Sequence, residues 1–138
     1  MKNLIYLLIL MLCFSSCSSD DSTKADLDNL TGEWKLTEAY ISSGGPQYWI
    51  DVENGEELIF YEDKTFVSNK FSECTNGIFS IEMDELSLEY ICEEFESEQE
   101  NQNGLITFTI EFKADYFIVT PISGPMCIEG CSYKYTKQ

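Results

Sequence analysis

Alternation of apolar and polar residues with a period of two is the feature that most constrains this chain of 138 residues. It is clearest in residues 105–112, where Ile106, Phe108, Ile110 and Phe112 fall on one face and threonine or glutamate lies between them. A half-buried β-strand has this period, whereas an amphipathic helix repeats every ~3.6 residues. No stretch carries a convincing helical period, and the 3 prolines fall between the alternating segments. We therefore expect an all-β domain.

Eight alternating segments, separated by turns, are predicted as strands. Their ranges are 32–41, 57–61, 65–71, 77–81, 86–92, 105–112, 116–120 and 132–136. This number suits an eight-stranded antiparallel up-and-down meander barrel, although a flattened or open sandwich also fits the pattern. Tight and long connections alternate, so all the long ones should meet at one open mouth. In the tight turn Asp63-Lys64, glycine is usual at the second position, so Lys64 is expected to have a positive φ.

The first predicted strand carries a family resemblance. It begins at Leu30-Thr31-Gly32-Glu33-Trp34-Lys35-Leu36 and places Trp34 and Leu36 on one face. Its Gly-x-Trp opening resembles that of the lipocalin and calycin barrels, and most closely the lipocalin-like domains of bacterial surface lipoproteins. Residues 127–135 resemble the C-terminal end of the same lipoproteins. The resemblance implies a closed end and an open, loop-bearing mouth. The aspartate-rich turn and buttressing arginine of lipocalins are absent from this sequence.

The N-terminus resembles the export signal of a bacterial lipoprotein. A short basic start precedes an apolar run over residues 4–14, which is too short to span a bilayer, and Ser15-Ser16-Cys17 follows. Small residues before a cysteine resemble a lipobox, which implies cleavage before Cys17 and acylation of that cysteine. The alternative is an ordinary secretory signal with Cys17 unmodified. Ser18 resembles the sorting signal for the outer membrane, and Asp20-Asp21 resembles a surface-export signal.

The expected organisation has three parts. Residues 1–16 are the lipoprotein signal peptide, residues 17–29 are the lipidated cysteine and a flexible acidic tether, and residues 30–138 are the barrel domain. The tether is predicted because the segment is polar and shows no apolar periodicity. The N-terminal lipid anchor would make the membrane a partner. We expect an exported protein held at the outer membrane, with exposure at the cell surface as a further expectation.

Four cysteines of the predicted barrel lie in or beside its long connections. An even number in an exported domain implies two disulfides, and four cysteines allow about three pairings. We favour Cys74 with Cys92, which would bridge neighbouring strands, and Cys127 with Cys131, which would close a local loop. The alternatives join the first pair's region to the loop of the second. Their neighbours are acidic, so a structural role is favoured over a redox role.

The net charge is −17, from 25 acidic and 8 basic residues, and there is no histidine. Such a polyanion is repelled by nucleic acid, so we expect no nucleic-acid partner and a soluble monomer. Without histidine, Ser-His-Asp and Cys-His catalysis are impossible. The sequence shows neither a glycine-rich phosphate loop nor metal-ligand spacing. We therefore expect no enzyme, cofactor or metal site, although the acidity also fits a site for a cation or a basic partner.

Aromatic residues are the candidates for ligand contact. The ligand-binding candidates are Trp34, Tyr40, Tyr48, Trp49, Phe66, Phe79, Tyr90, Phe108 and Phe117. Tyr48 and Trp49 lie in the long connection after the first strand and would either cover a ligand or pack across the opening. Seven aromatic residues are expected to face inward, where they either line an apolar cavity or fill the barrel: Tyr40, Phe60, Phe66, Phe79, Tyr90, Phe108 and Phe117. The acidic run 93–100 lacks calcium-ligand spacing and is expected to be a solvated, mobile loop.

Two functions remain open at this point. One is binding of a small apolar or amphipathic molecule at the mouth, without catalysis. The other is a protein-interaction or structural module at the cell surface, with a filled barrel and an acidic contact rim. Space inside the barrel would distinguish them.

Overall fold

The computed structural model describes residues 19–42, 44–125, 127 and 130–138. The predicted signal peptide and Cys17 lie outside these residues. The elements are α1 Ser19–Leu30, β1 Gly32–Ile41, β2 Tyr48–Asp51, β3 Glu57–Phe60, β4 Thr65–Ser68, β5 Asn76–Glu82, β6 Glu85–Tyr90, β7 Ile106–Phe112, β8 Tyr116–Pro121 and β9 Ser132–Lys137.

Eight of the strands form a closed antiparallel barrel. They are ordered β1-β3-β4-β5-β6-β7-β8-β9, and β9 pairs back onto β1 to close the ring. Closure leaves these strands without the open hydrogen-bonding edge that a sandwich would have. The predicted up-and-down barrel is therefore confirmed, and the open sandwich is not what the chain forms.

A ninth strand, β2, was not predicted and lies where the sequence indicated only a loop. The first half of β1, Gly32–Lys35, pairs with β3, whereas its second half, Glu38–Ile41, pairs with β2. β1 has ten residues and β3 only four, so the second half of β1 needs another partner on that side. All four residues of β2 are exposed, so its sequence lacks the alternation of apolar and polar residues that indicates a half-buried strand.

A bulge in β1 changes which residues face the barrel interior. Leu36 lies opposite Tyr135 and Glu38 lies opposite Lys134, so Thr37 is an extra residue in the ladder. Side chains alternate strictly along a regular strand, and one inserted residue reverses the phase beyond it. Ala39 is consequently buried at 7% exposure, and Tyr40 lies on the outer face. The prediction that Tyr40 faces inward is wrong for this reason.

The closed end of the barrel is covered by α1. Leu30 is fully buried, Leu27 packs against the same core, and the indole Nε1 of Trp34 donates a 2.7 Å hydrogen bond to the Leu30 carbonyl oxygen. Residues 19–29, within the segment predicted as a tether, belong to this helix. The sequence of this helix carries little helical periodicity, since only two apolar residues near its C-terminal end contact the barrel.

Large side chains fill the lower part of the barrel. Phe60 packs against Phe79 with ring centroids 4.9 Å apart, and Phe117 lies between Trp34 at 4.7 Å and Tyr135 at 5.1 Å. Below the mouth, the interior cavity measures only about 10 Å³. A space of this size holds roughly one water molecule. The deep barrel is therefore filled, and the larger open space of the interior lies at the mouth.

The two disulfides have the pairing favoured from the sequence. Cys74 is bonded to Cys92 with Cα atoms 5.7 Å apart, and Cys127 is bonded to Cys131 with Cα atoms 6.0 Å apart. The first ties the link between β4 and β5 to the residues after β6. The second lies in the link between β8 and β9. Disulfides are typical of proteins in an oxidising, exported environment.

Candidate ligand-binding mouth of the barrel

A cleft of about 770 Å³ opens at the end of the barrel opposite α1. The links β4–β5, β6–β7 and β8–β9 surround it. Its inner surface, which we call the floor, is formed by apolar and aromatic side chains: Phe71, Phe95, Ile106, Phe108 and Tyr133. A cavity of this volume with an apolar lining is the usual form of a small-molecule site.

Three aromatic rings hold the β6–β7 link, residues 91–105, against the barrel. The centroids of Phe71 and Tyr90 are 5.1 Å apart, those of Phe71 and Phe95 are 5.1 Å apart, and those of Tyr90 and Phe95 are 5.2 Å apart. Each pair lies within the range of favourable aromatic contacts. The acidic run is therefore more than a solvated loop, because Phe95 in its middle packs into the site.

Hydrogen bonds fix the other end of the β6–β7 link across the mouth. Lys70 Nζ donates to Oε1 of Gln99 at 2.7 Å, and the Ser123 hydroxyl donates to the Gln99 carbonyl oxygen at 2.7 Å. A Cβ atom at Gly124 would lie 2.7 Å from the Gln99 Cα atom. Gly124 has a φ of 77°, so both the backbone conformation and the close approach require glycine there.

Five glutamates form the edge of the cleft, which we call the acidic rim. They are Glu73, Glu93, Glu94, Glu96 and Glu98. The ion pairs found in the described part of the chain join Lys35 to Glu57, Lys113 to Glu111 and Lys134 to Glu38. None of them involves the acidic rim, so its negative charge is not neutralised by a neighbouring cation in these residues.

Lys70 is the one basic residue that lines the described cleft. The residue as a whole is exposed, but its ammonium lies 5.5 Å from the Phe71 ring centroid and 6.0 Å from that of Phe108. Desolvation lowers the pKa of Lys70, and the charge of Glu56 partly opposes this. Lys70 therefore places a positive charge on the apolar floor rather than among the rim carboxylates.

A polar cluster lies beneath the floor, inside the barrel. The carboxylate of Glu56 accepts hydrogen bonds from the Ser68 hydroxyl at 2.6 Å and the Tyr135 hydroxyl at 2.8 Å. The Tyr90 hydroxyl is buried nearby and forms no hydrogen bond of ordinary length with a described residue, while the adjacent Ser68 side chain partly opposes the rise of its pKa. Burial raises the pKa of Tyr90 to about 12 and raises the pKa of Tyr135 well above its usual value.

The predicted ligand contacts are divided among three places. Phe108 lines the cleft, and Tyr90 lies directly behind its floor. Four others fill the barrel interior: Trp34, Phe66, Phe79 and Phe117. The remaining three, Tyr40, Tyr48 and Trp49, lie on the outer face of β1 and β2.

The predicted lid does not lie over the mouth. Trp49 packs against Tyr40 with ring centroids 5.1 Å apart, and Lys134 Nζ lies 4.8 Å from the Trp49 centroid. Lys134 also bonds Glu38 at 2.7 Å on the same face. Tyr48 and Trp49 are not among the residues that line the cleft. Tyr48 and Trp49 belong to β2, which pairs with β1, and both rings therefore lie along the outside of the barrel.

Sequence reasoning missed most of the site. Lys70 and Phe71 fall in the predicted strand 65–71, but the observed strand β4 ends at Ser68, and Phe95 lies in the irregular β6–β7 link, so none of the three was predicted as a ligand contact. Glu56 was not singled out either, since nothing local indicates that a glutamate before a strand enters the barrel. The one available signal was Phe95, an apolar residue isolated within an acidic run, which is a pattern typical of a loop that packs at one point.

The described residues limit the chemistry of the site. Nowhere in residues 19–138, apart from the undescribed positions, do three or more histidine, cysteine or acidic side chains converge as a metal site would require. Within the same residues, no helix has both the length and the apolarity needed to cross a membrane. What the site offers is apolar surface, hydrogen-bonding groups and negative charge.

Comparisons with known proteins show two similar solved structures. One is an uncharacterized protein from Bacteroides eggerthii, with 16% identity over 79% of this chain and 99% of the other, and a TM-score of 0.41. The other is a lipocalin-like protein from Bacteroides uniformis, with 16% identity over 80% of this chain and 99% of the other, and a TM-score of 0.42. No family model and no curated protein sequence matches the chain. Neither likeness assigns a ligand to the mouth of this barrel.

Proposed function

We propose that this protein binds a small apolar or amphipathic molecule at the mouth of its lipocalin-like barrel and performs no chemistry on it. The observation that supports the proposal is the cleft of about 770 Å³ with its apolar floor. Exposed apolar surface of this kind is costly in a soluble protein unless something covers it. A bound molecule would cover the floor.

The ligand is held at the mouth rather than deep in the barrel. The filled interior supports this, since only about 10 Å³ is free below the floor. Its contacts come from Phe71, Phe95 and Phe108. The binding role is sequestration or delivery, and the absence of histidine from the chain supports binding without catalysis.

The cellular setting we propose is the outer membrane, reached by lipidation of Cys17. The lipobox-like sequence before Cys17 supports this, together with two disulfides that suit an exported protein. The chain enters the barrel at the closed end, because β1 begins beside α1. An anchor on Cys17 would thus attach at the end opposite the mouth and leave the mouth accessible to a ligand.

Native mass spectrometry of the oxidised mature chain tests the binding function. The sample is residues 17–138 with Cys17→Ser, challenged with extracted membrane lipids. We expect a small-molecule adduct that is lost in the double variant Phe71→Ala, Phe95→Ala. The matched control is Tyr48→Ala, Trp49→Ala, which removes two aromatic rings from the outer face and should keep the adduct. A bare mass before and after the challenge would contradict the proposal.

A second candidate function is contact with a protein partner through the acidic rim. The observation that favours it is that the ion pairs of the described residues leave the five rim glutamates unpaired. A basic partner would be attracted to this edge, and its binding would weaken steeply as salt rises. Binding of a small apolar ligand to the floor would depend little on salt, so a salt titration separates the two functions.

A further inference from the structure

The chain directs a carboxylate into a barrel that is otherwise apolar. The link between β2 and β3 loops out opposite the bulge of β1, and the Leu36 amide donates a 2.8 Å hydrogen bond to the Glu56 carbonyl oxygen. Gly55 is buried against this point, where a Cβ atom would overlap the Leu36 carbonyl oxygen. Only glycine fits, and the irregular link delivers the Glu56 side chain to the interior. Even a partly buried carboxylate is costly, so its placement needs a reason.

Part of that reason is visible in the hydrogen bonds of the cluster. Ser68 donates to one carboxylate oxygen of Glu56 and Tyr135 donates to the other, and each oxygen keeps a free lone pair. The Tyr90 hydroxyl, on a residue that is 8% exposed, forms no hydrogen bond of ordinary length with a described residue, and its neighbour Ser68 already donates to Glu56. Buried hydroxyls without a partner are rare in folded proteins. This one faces a small cavity that Glu56 and Tyr135 also line.

This cavity adjoins the mouth. Its volume is about 10 Å³, and Lys70, Ile106 and Phe108 line both it and the cleft above. A narrow layer of side chains therefore separates the two spaces. Lys70 is held by its bond to Gln99, so joining the two spaces requires a movement of Ile106 or Phe108. We call the lower space, lined by Glu56, Tyr90 and Tyr135, the polar chamber.

We propose that the polar chamber receives the end group of the ligand, and that this end group is a hydrogen-bond donor, a hydroxyl or an ammonium, attached to an apolar chain. The inference rests on the proposed binding function and specifies its ligand class. The free lone pairs of Glu56 accept from such a group, and the Tyr90 hydroxyl gains its missing partner. The apolar chain lies on the floor, against Phe71 and Phe95.

The charges of the site select against ligands that end in a carboxylate or a phosphate. Such a group would pass the five glutamates of the acidic rim and then face the Glu56 carboxylate. Like charges at close range in a partly desolvated site repel strongly. Lys70 offsets one of these charges, but its ammonium is already bonded to Gln99.

Titration calorimetry with matched probes tests the inference. The protein is the mature chain, residues 17–138 with Cys17→Ser, and the probes are decanol, decylamine, decanoate and decyl methyl ether, each below its aggregation concentration. They share one apolar chain and differ in the end group. We expect decanol and decylamine to bind roughly five-fold more tightly than the ether, a difference typical of one net hydrogen bond, and decanoate to bind most weakly.

Tyr90→Phe is the decisive variant, because it removes a hydroxyl that has no partner in the unliganded protein. It should fold normally and bind decanol and decylamine more weakly than the parent does, because only the contact of the end group with Glu56 remains, while its affinity for the ether changes less. Tyr48→Phe, which removes an exposed hydroxyl on the outer face, is the control and should behave as the parent. Glu56→Gln should weaken decylamine more than decanol and reduce the discrimination against decanoate.

The outcomes distinguish failure of the polar chamber from failure of the binding site at the mouth. Equal affinity of the parent for all four probes, or unchanged affinity in Tyr90→Phe, would overturn the polar chamber while leaving binding at the mouth intact. Such a result would mean that the chamber holds a trapped water only. Binding of none of the probes, the ether included, would overturn the mouth site itself and the inference with it.

Discussion

The Tyr135 hydroxyl lies 2.8 Å from Oε2 of Glu56, in the interior of the barrel. Tyr135 belongs to the last strand, and Glu56 follows the irregular link before β3. The bond joins residues 79 positions apart in the sequence. It ties the polar cluster to the seam where β9 closes onto β1.

Tyr135→Phe should destabilise the protein by about 2 kcal/mol. The change leaves the ring packing against Phe117 but removes a donor from the partly buried Glu56 carboxylate. Urea unfolding of the oxidised protein measures the loss. Tyr61→Phe removes an exposed hydroxyl and should change the free energy of unfolding by less than ~0.5 kcal/mol. Equal effects of the two variants would show that the bond to Glu56 contributes nothing.

Stability should fall as the pH rises above 10. Folding raises the pKa of Tyr90 from 10.0 to about 12 and also raises that of Tyr135, in both cases mainly by burial. Between these values the unfolded chain loses protons that the folded chain keeps, so unfolding is favoured by up to ~1.4 kcal/mol per pH unit for each tyrosine. The lowered pKa of Lys70 acts in the opposite sense.

Urea midpoints at pH 8, 10 and 11 check this dependence. We expect a flat profile up to about pH 9.5 and a decline above it, and Tyr90→Phe should make the decline shallower. A parent protein that is as stable at pH 11 as at pH 8 would contradict the buried, neutral state of both hydroxyls.

Lys64→Gly should stabilise the protein by about 0.5 kcal/mol. Lys64 has a φ of 66°, in the left-handed region, as the Asp63-Lys64 turn predicted. Glycine removes the strain of that conformation, although the greater freedom of the unfolded chain offsets part of the gain. Thermal unfolding measures the shift. The control is Glu62→Gly, since Glu62 does not have a positive φ, and this change should lower the melting temperature.

The two disulfides should differ in their contribution to stability. Removing Cys74–Cys92, which closes a loop with a sequence separation of 18, should cost about 3 kcal/mol, and removing Cys127–Cys131, with a separation of 4, about 2 kcal/mol. Cys74 is also 1% exposed, so its replacement disturbs the core. Paired Cys→Ser variants in urea measure both. A larger loss from the shorter loop would contradict the loop-closure reasoning.

Much of the fold could be predicted from local pattern. The range of β1 was predicted as 32–41 and is Gly32–Ile41, and the other seven barrel strands were placed within a few residues. The favoured disulfide pairing is confirmed because a meander brings the ends of successive strands together, which strand order alone implies. The site was less predictable, since only Phe108 among the nine ligand-binding candidates lines the cleft.

The sequence by itself determined the eight alternating strands, their meander order and the end at which the long links meet, because side-chain alternation and turn residues are local properties of the chain. Only the tertiary structure decided that Tyr40 faces outward, that Glu56 enters the barrel and that α1 covers the closed end. The bulge of β1 is defined by its pairing with β9, almost a hundred residues later. The bulge reverses which side chains of β1 face inward, and because it depends on so distant a strand, the pattern of residues within β1 does not reveal it.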